Sequence, residues 1–173
     1  ADFHYVPVAA RRTSGDPADV AETARALLAA KRPVIHAGQG ILYAEAWNEL
    51  RELAELLQAP VMTTLSGKSA FPENHPLSIG SGGAVTTAPV VHFLKGCDLV
   101  FGIGSSLTIG SFGVTIPRGK VIVHSTNDGE DINKDYRADH AVIGDSKLVL
   151  GQLLEEIESQ AGSSVPREGD EVV

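Results

Sequence analysis

Short apolar segments that each run into glycine, serine or threonine constrain the fold of this chain more than any other feature of its sequence. Residues 60–63 and 99–103 are two such segments, and they are followed by the loops that begin at Thr64 and Gly104. Strands that are apolar along their whole length are typical of a parallel sheet covered by helices on both faces. Ligands of such sheets bind at the carboxyl ends of the strands, so we expect these loops to face a ligand.

Segments with the period of an α-helix alternate with the apolar segments. Asp16 and Pro17 predict the start of the first helix, with the carboxylate as its cap and proline at its first position. Helices are predicted over residues 17–30, 44–58, 86–95 and 146–159, and strands over residues 33–37, 60–63, 77–80, 99–103, 120–124 and 140–143. The buried face of the second helix is predicted to carry Trp47, Leu50, Leu53, Ala54 and Leu57. The alternation predicts an α/β fold of the doubly wound, Rossmann-like type, with a six-stranded, mostly parallel sheet and helices on both faces.

Charge and cysteine content restrict the partners and the compartment. The chain has 22 acidic and 14 basic residues, a formal net charge of -8, which argues against a nucleic-acid partner because phosphate binding needs clustered lysine and arginine. No apolar run approaches the roughly 20 residues of a membrane helix, and no signal peptide is visible, so we expect no membrane partner. Cys97 is the only cysteine, which excludes an intrachain disulfide and indicates a core residue in a reducing, cytoplasmic protein.

The two ends of the chain differ from its middle. Residues 1–15 have no clear period, and residues 160–173 combine glycine, serine, proline and charges. We therefore expect one domain over residues 16–159, flanked by an N-terminal extension or linker and a C-terminal tail or linker.

Two glycine turns follow predicted strands. Gly38 and Gly40 follow the first predicted strand. Glycine at such a strand end lets the backbone approach a phosphate closely. However, the third glycine of the dinucleotide-binding fingerprint is replaced here by Tyr43. A tight turn explains the pair equally well. Gly104 follows another strand end, and Thr64 adds a hydroxyl at a third. Together these strand ends indicate a ligand-facing edge.

No catalytic or metal-binding constellation is predicted. Gly67, Lys68 and Ser69 match the end of a P-loop, but Met62 stands where its first glycine is required. The six histidines do not cluster, and His36 and His124 lie within apolar strands, where we expect hydrogen-bonded core or edge residues. No serine lies in a Gly-x-Ser-x-Gly nucleophile elbow. Asp128 and Asp145 follow the last two predicted strands, and either could contact a ribose hydroxyl. Asp145 is equally placed to cap the last helix.

Two longer runs resemble a known family. The runs are residues 63–77, which extend from Thr63 through Phe71 and Pro72 to Leu77, and residues 97–105. Both resemble the central domain of thiamine-diphosphate-dependent enzymes of the acetolactate synthase-like group. Residues 31–38, 132–134 and 141–145 extend the resemblance to about residues 17–158. The resemblance implies a sheet fold of the DHS-like NAD/FAD-binding type.

The resemblance implies a parent enzyme with three domains that acts on 2-oxo acids as a carboligase or decarboxylase. Its catalytic glutamate lies in a pyrimidine-binding domain, and its Gly-Asp-Gly motif for magnesium and diphosphate lies in a diphosphate-binding domain. Residues 144–146 and 169–171 both lack the last glycine of that motif. We therefore expect an excised central domain that neither binds thiamine diphosphate nor catalyses alone, and that works beside both other domains in a homo-oligomeric parent.

Relatives of this kind bind FAD, ADP or no nucleotide in the central domain. The matching positions in this chain are Gly38, Gly40, Thr64, Leu65, Gly104, Ser105, Ser106, Thr126, Asn127 and Asp145. Two departures from the acetolactate synthase pattern stand out. Ser106 replaces an arginine, which removes a charge-assisted contact to diphosphate, and Thr126 replaces an acidic residue, which removes a ribose partner.

Two other functions fit the same sequence. A free-standing NAD(P)-binding module would have the same fold type, as sirtuins do, although the paired cysteines of the sirtuin zinc site are missing. A purely structural spacer, whose glycine loops hold no ligand, would also need small residues at the strand ends.

Overall fold

All six strands of the chain form one parallel sheet in the computed structural model, which describes residues 6, 9, 11–83, 86–110 and 113–161. In chain order the strands are β1 Pro33–Ala37, β2 Val61–Thr63, β3 Ser78–Ser81, β4 Leu99–Ile103, β5 Val121–Thr126 and β6 His140–Ile143. The helices are α1 Pro17–Ala29, α2 Gly40–Ala44, α3 Trp47–Leu57, α4 Ala88–Gly96 and α5 Ser146–Ala161, with a 3-10 turn at Gly129–Asp131.

The strand order is β3-β2-β1-β4-β5-β6, and every neighbouring pair is parallel. The chain leaves β1 toward β2 on one side and leaves β4 toward β5 on the other. The strand order therefore reverses between β1 and β4. In open parallel sheets a crevice forms outside the carboxyl ends at this position, and ligands bind there.

Local sequence signals set several element boundaries. Asp16 accepts a hydrogen bond from the backbone N–H of Ala18 at 2.8 Å and so caps α1, with Pro17 at its first position. Glu45 and Gln58 end α2 and α3 in the left-handed region, at φ of 55° and 47°.

Two hydrophobic clusters lie on opposite faces of the sheet. One contains the buried sides of α1, α3 and α5, with Ile35, Phe101 and Val123 from the sheet. The other contains α4 and the loop after β4, with Val34 and Val100. In the four inner strands β2, β1, β4 and β5, residues that point to either face of the sheet are buried, which explains why these strands are largely apolar. The edge strands β3 and β6 each bury one residue, Ile79 and Val142.

The predicted architecture is confirmed, with corrections of detail. The sheet is wholly rather than mostly parallel, and the short strand predicted over residues 77–80 is β3. The helix predicted over residues 44–58 begins only at Trp47, as α3, because the left-handed turn at Glu45 separates it from α2, a short helix that was not predicted. Trp47 is 42% exposed, so its predicted place on the buried face is wrong; the fully buried residue there is Ala46, just before α3.

The single cysteine lies in the core. Cys97 is buried, and its Sγ donates a hydrogen bond to the carbonyl of Leu94, as expected for a core residue.

The predicted N-terminal extension packs against the domain at its end. Gly15, the last residue of that extension, is buried and exchanges hydrogen bonds with the Gln152 side chain on α5. Residues 162–173 of the predicted tail lie outside the described residues. No helix in the part of the chain that the structure describes is long and apolar enough to cross a membrane.

Replacing Phe101 by alanine tests the role of β4 in the core. Phe101 is fully buried among Ile35 and Val123 of the neighbouring strands, so we expect Phe101→Ala to lower the free energy of unfolding by about 3–5 kcal/mol. Val121→Ala, at a 38% exposed position of the same sheet, is the control and should cost under about 1 kcal/mol. Urea unfolding of both variants measures the difference, and equal losses would contradict the proposed core.

Candidate functional site

A cleft of about 770 Å³ opens at the carboxyl ends of the strands, where the strand order reverses. Its size is that of ordinary small-molecule sites. All ten residues matched to the family's nucleotide site line this one cleft: Gly38, Gly40, Thr64, Leu65, Gly104, Ser105, Ser106, Thr126, Asn127 and Asp145. The topology therefore brings together residues that are up to 107 positions apart in the sequence.

The glycine turns after β1 and β4 are packed backbone to backbone. A Cβ atom on Gly38 would lie 2.1 Å from the carbonyl oxygen of Gly104, and one on Gly40 would lie 2.7 Å from Gly104 Cα. Gly40 N–H donates to the Gly104 carbonyl at 2.9 Å, and Gly104 N–H donates to Ser125 at 3.1 Å. These glycines are therefore required by the contact between the two turns, whether or not a ligand binds.

Two histidines stand on either side of Gly102 in the sheet, and one of them, His36, lines the cleft. The sheet register pairs Gly102 with His36 on β1 and with His124 on β5. The side chain of Leu107 fills the space above Gly102, where a Cβ atom would lie 2.7 Å from it. Leu107 has a φ of 47°, a strained conformation for a branched side chain, and its N–H donates to Ser105 Oγ.

Both histidines are buried and uncharged near neutral pH. Burial, followed by the nearby His124, lowers the pKa of His36 to about 4. Burial also lowers the pKa of His124, although the hydrogen bond of its Nε2 to the Ser105 carbonyl and the Asp131 carboxylate act against this. His36 Nδ1 has no hydrogen-bond partner among the described residues. Both residues were predicted to lie in the core, and only His124 has a hydrogen bond there in addition.

The acidic group near the end of β5 that lines the cleft is not the predicted Asp128, whose Oδ1 accepts a hydrogen bond from the Glu130 N–H and caps the 3-10 turn. It is Asp131, whose carboxylate lies 3.4 Å from Oγ1 of Thr126, the residue that stands where the resemblance implied an acid. Lys134 holds that carboxylate through a 2.9 Å ion pair. The one signal for Asp131 in the sequence was its position directly before residues 132–134, which resemble the family. The 3-10 turn that brings its carboxylate to the cleft could not be predicted from residue spacing.

Asp145 caps α5, as one of its two predicted roles required. Its Oδ1 accepts hydrogen bonds from the N–H groups of Lys147 and Leu148 at 3.1 and 3.3 Å. Its Oδ2 lies 3.7 Å from Arg12 Nε, and Arg12 also donates to the Ala44 carbonyl. The carboxylate therefore has protein partners on both oxygens while it lines the cleft.

The described part of the chain brings no nucleophile and base together in the cleft. His124 contacts the backbone oxygen of Ser105 rather than its hydroxyl. No group of three or more histidine, cysteine or acidic side chains among the described residues is arranged to hold a metal ion. The arrangement can bind and orient a ligand through hydroxyl, amide and carboxylate groups, with the Tyr43 ring, 77% exposed, at its rim.

Residues 20–153 match the family described as thiamine pyrophosphate enzyme, central domain. The chain belongs to this family. It is 38% identical over 146 residues to a protein of Methanocaldococcus jannaschii described as a probable acetolactate synthase large subunit, which covers 83% of this chain and 24% of that protein. It is 37% identical to an acetolactate synthase of Mycobacterium avium, over 79% of this chain and 22% of that protein.

A solved structure shares the fold as well as part of the sequence. The benzoylformate decarboxylase of Polynucleobacter necessarius superposes with a TM-score of 0.77 at 26% identity, over 99% of this chain and 32% of that one. This thiamine pyrophosphate enzyme central domain thus spans about a quarter of the curated relatives that it matches and about a third of that structure.

The residues of this central domain do not fit thiamine diphosphate or its magnesium ion. Asp145 stands where a Gly-Asp-Gly motif would place a ligand, but Ser146 follows it and its two oxygens contact α5 and Arg12. No step of thiamine chemistry is therefore assigned to this chain.

Alanine at Gly38 tests the packing of the two turns. The new Cβ would meet backbone atoms that cannot move independently, so we expect Gly38→Ala to lower the free energy of unfolding by about 3 kcal/mol or more. Gly151→Ala in α5 is the matched control: a Cβ there has nothing within 4 Å, and we expect a gain of about 0.5–1 kcal/mol. Thermal and urea unfolding distinguish the two, and a tolerated Gly38→Ala would refute the backbone contact.

His36 makes the stability of this central domain dependent on pH. Above pH 6.5 the ring is neutral in both states, whereas between pH 6.5 and about 4 only the unfolded state binds the proton. The free energy of unfolding should therefore fall as the pH drops through this window, by about 3 kcal/mol from this group. Urea unfolding from pH 7 to 4 should show a smaller loss for His36→Gln, because the carboxylates titrate in both proteins. Equal pH slopes would contradict the buried, neutral ring.

Proposed function

We propose that this chain is the non-catalytic central domain of a larger thiamine-diphosphate-dependent carboligase or decarboxylase that acts on 2-oxo acids, and that its cleft binds an adenine nucleotide such as FAD or ADP. The observation that carries the proposal is the convergence of all ten family-matched positions on one cleft where the strand order reverses.

The polar groups of the cleft support a nucleotide as its ligand. The Asp131 carboxylate beside Thr126 supplies an acidic group near the end of β5, where acidic residues accept hydrogen bonds from ribose hydroxyls. Asn127 and Ser105 add an amide and a hydroxyl, and the Tyr43 ring at the rim can stack on a base. These groups restore part of the ligand contacts that are lost because Thr126 replaces an acidic residue and Ser106 replaces an arginine.

The parent enzyme supplies the chemistry in this proposal. Thiamine diphosphate and magnesium would be held by the pyrimidine-binding and diphosphate-binding domains, in a homo-oligomeric, cytoplasmic enzyme. The relatives described as acetolactate synthases and as a benzoylformate decarboxylase are three to five times longer than the part matched here, which leaves room for such domains.

A structural spacer is the second candidate. The contact of Gly38 and Gly40 with Gly104 favours it, because that packing explains the glycine turns without a ligand. The two candidates differ in one respect: only a nucleotide site raises stability when the ligand is added.

Titration of the purified chain with FAD, ADP and NAD during thermal unfolding distinguishes the candidates. A ligand that binds only the folded state stabilises it by about 2.7 kcal/mol at a hundredfold excess over its Kd, so we expect a clear rise in Tm with FAD or ADP. Ser66→Trp, at an exposed position inside the cleft, should abolish the rise, and Ser159→Trp on the exposed side of α5 should not.

Three further results would go against the proposal. No rise with FAD or ADP would favour the spacer, and a rise with NAD alone would favour an NAD(P)-binding module. Consumption of pyruvate by the chain with thiamine diphosphate and magnesium would contradict the absence of catalysis, since we expect no turnover above the protein-free rate.

A further inference from the structure

We propose that Asp131 sets the ribose specificity of the cleft: its carboxylate accepts a hydrogen bond from the 2′-hydroxyl of the adenosine ribose, so that the cleft takes nucleotides with this hydroxyl free and rejects those with a 2′-phosphate. The inference rests on the nucleotide site proposed above and specifies the class of ligand that this site binds. It follows from the arrangement of β4 and β5, from the contacts that hold the carboxylate and from the charges beside it.

The glycine turn after β4 and the end of β5 are arranged as in a ribose-binding site. In dinucleotide-binding folds, a glycine turn after one strand binds the phosphates, and an acidic residue about 20 positions further on binds the ribose 2′-hydroxyl. Here the turn is at Gly104, and Thr126, the last residue of β5, lies 22 positions further on. β4 and β5 are hydrogen-bonded neighbours, and both residues line the cleft. An acid beside Thr126 is therefore in position for a ribose contact.

The turns at the strand ends also offer hydrogen-bond donors for the phosphates of a nucleotide. Gln39, Ser105 and Ser106 line the cleft, and their N–H groups have no hydrogen-bond partner among the described residues. Backbone N–H groups of this kind bind phosphate oxygens. Neighbouring strands lie about 5 Å apart, so a ribose whose phosphate is held at the turn after β4 reaches the end of β5.

Thr126 and Lys134 hold the Asp131 carboxylate at the cleft. Thr126 Oγ1 accepts a hydrogen bond from the Asp128 N–H at 3.2 Å and donates one to Asp131 Oδ2 at 3.4 Å. Lys134 Nζ donates to Asp131 Oδ1 at 2.9 Å. Each carboxylate oxygen accepts one hydrogen bond and can accept another, and the Asp131 side chain is 17% exposed and lines the cleft. The carboxylate is therefore fixed in place and still able to accept a ligand hydroxyl, with Thr126 as a positioning residue.

The same carboxylate disfavours a phosphate on the ribose. A 2′-phosphate carries roughly two negative charges at pH 7 and would lie against Asp131. Residues 128–134 contain three acidic side chains and one lysine, and that lysine is paired with Asp131. Sites that take a 2′-phosphate place an arginine beside it, whereas a carboxylate there repels it. A free hydroxyl has no charge and can donate to Asp131, so the cleft distinguishes the two groups.

Calorimetric titration of the full chain at pH 7.5 with ADP, 2′-deoxy-ADP, AMP and adenosine 2′,5′-bisphosphate tests the inference. Without the hydrogen bond to a carboxylate, 2′-deoxy-ADP should bind about tenfold more weakly than ADP. The bisphosphate should bind about tenfold more weakly than AMP despite its extra phosphate. A 2′-deoxy-ADP affinity within about threefold of that of ADP, or a bisphosphate that binds as tightly as AMP, would overturn this inference and leave the nucleotide site intact.

FAD is titrated in parallel to separate this inference from the proposal on which it rests. Binding of FAD with none of the four other ligands would overturn the ribose contact, because these ligands share the adenosine part, and would leave the nucleotide site intact. Binding of none of the five would refute the nucleotide site itself.

Two matched variants test the assignment to Asp131. Asp131→Ala removes the acceptor, so we expect ADP to bind about tenfold more weakly while 2′-deoxy-ADP stays within about threefold of its original affinity. Glu130→Ala makes the same change at the preceding residue, which is exposed and is not among those lining the cleft, and should leave both affinities unchanged. An unchanged ratio of the two affinities in Asp131→Ala would overturn the assignment.

Thr126→Val tests the positioning role. Valine has the shape of threonine without the hydroxyl that donates to Asp131, so we expect the preference for ADP over 2′-deoxy-ADP to fall by about threefold or more. A purely structural role for Thr126 would lower both affinities equally and leave that preference as it is, and this result would remove Thr126 from the device.

Discussion

The contact between the turns after β1 and β4 is the constraint on which the rest of the site depends. Gly38, Gly40 and Gly104 approach so closely that a single Cβ atom at Gly38 would overlap a carbonyl oxygen. Beyond this contact the chain leaves β1 and β4 toward opposite sides of the sheet, and that reversal of strand order is what opens the cleft. The parallel register then determines which side chains stand at its base. Glycine is needed here because two backbones meet, a reason that is independent of any phosphate.

Charge and burial act together in the cleft. Ion pairs hold Asp131 and Asp145 in place, and the nearby cations point to those carboxylates or to backbone carbonyls instead of the open volume. Burial also keeps both histidines uncharged, so His36 adds a polar group to the cleft wall without adding a charge.

Much of the fold and part of the site could be predicted from the sequence, because the signals that define the strands lie within a few residues of each strand. The predicted bounds of β4 and β6 match because uniformly apolar residues and flanking glycines are signals within a few positions. The convergence of the ten site residues followed from the rule that parallel strands share one carboxyl edge. The division of α2 from α3 was missed because Glu45 adopts a left-handed conformation that its residue type does not favour. The proximity of His36 and His124 was missed because it depends on register across an intervening strand.

The packing of α1 beside α5 has a consequence for how such a unit can be joined to others. Gln160, near the end of α5, donates a hydrogen bond to the carbonyl of Ala21, about one helical turn beyond the start of α1. The described path enters at the opposite end of α5, because Asp145, just before that helix, donates its N–H to the Thr13 carbonyl and contacts Arg12. Residues 12–13 and Ala161 are therefore separated by about 24 Å, the length of a 16-residue helix. Within a longer polypeptide, such a domain would hold the segments on its two sides apart by that length, as a rigid spacer does.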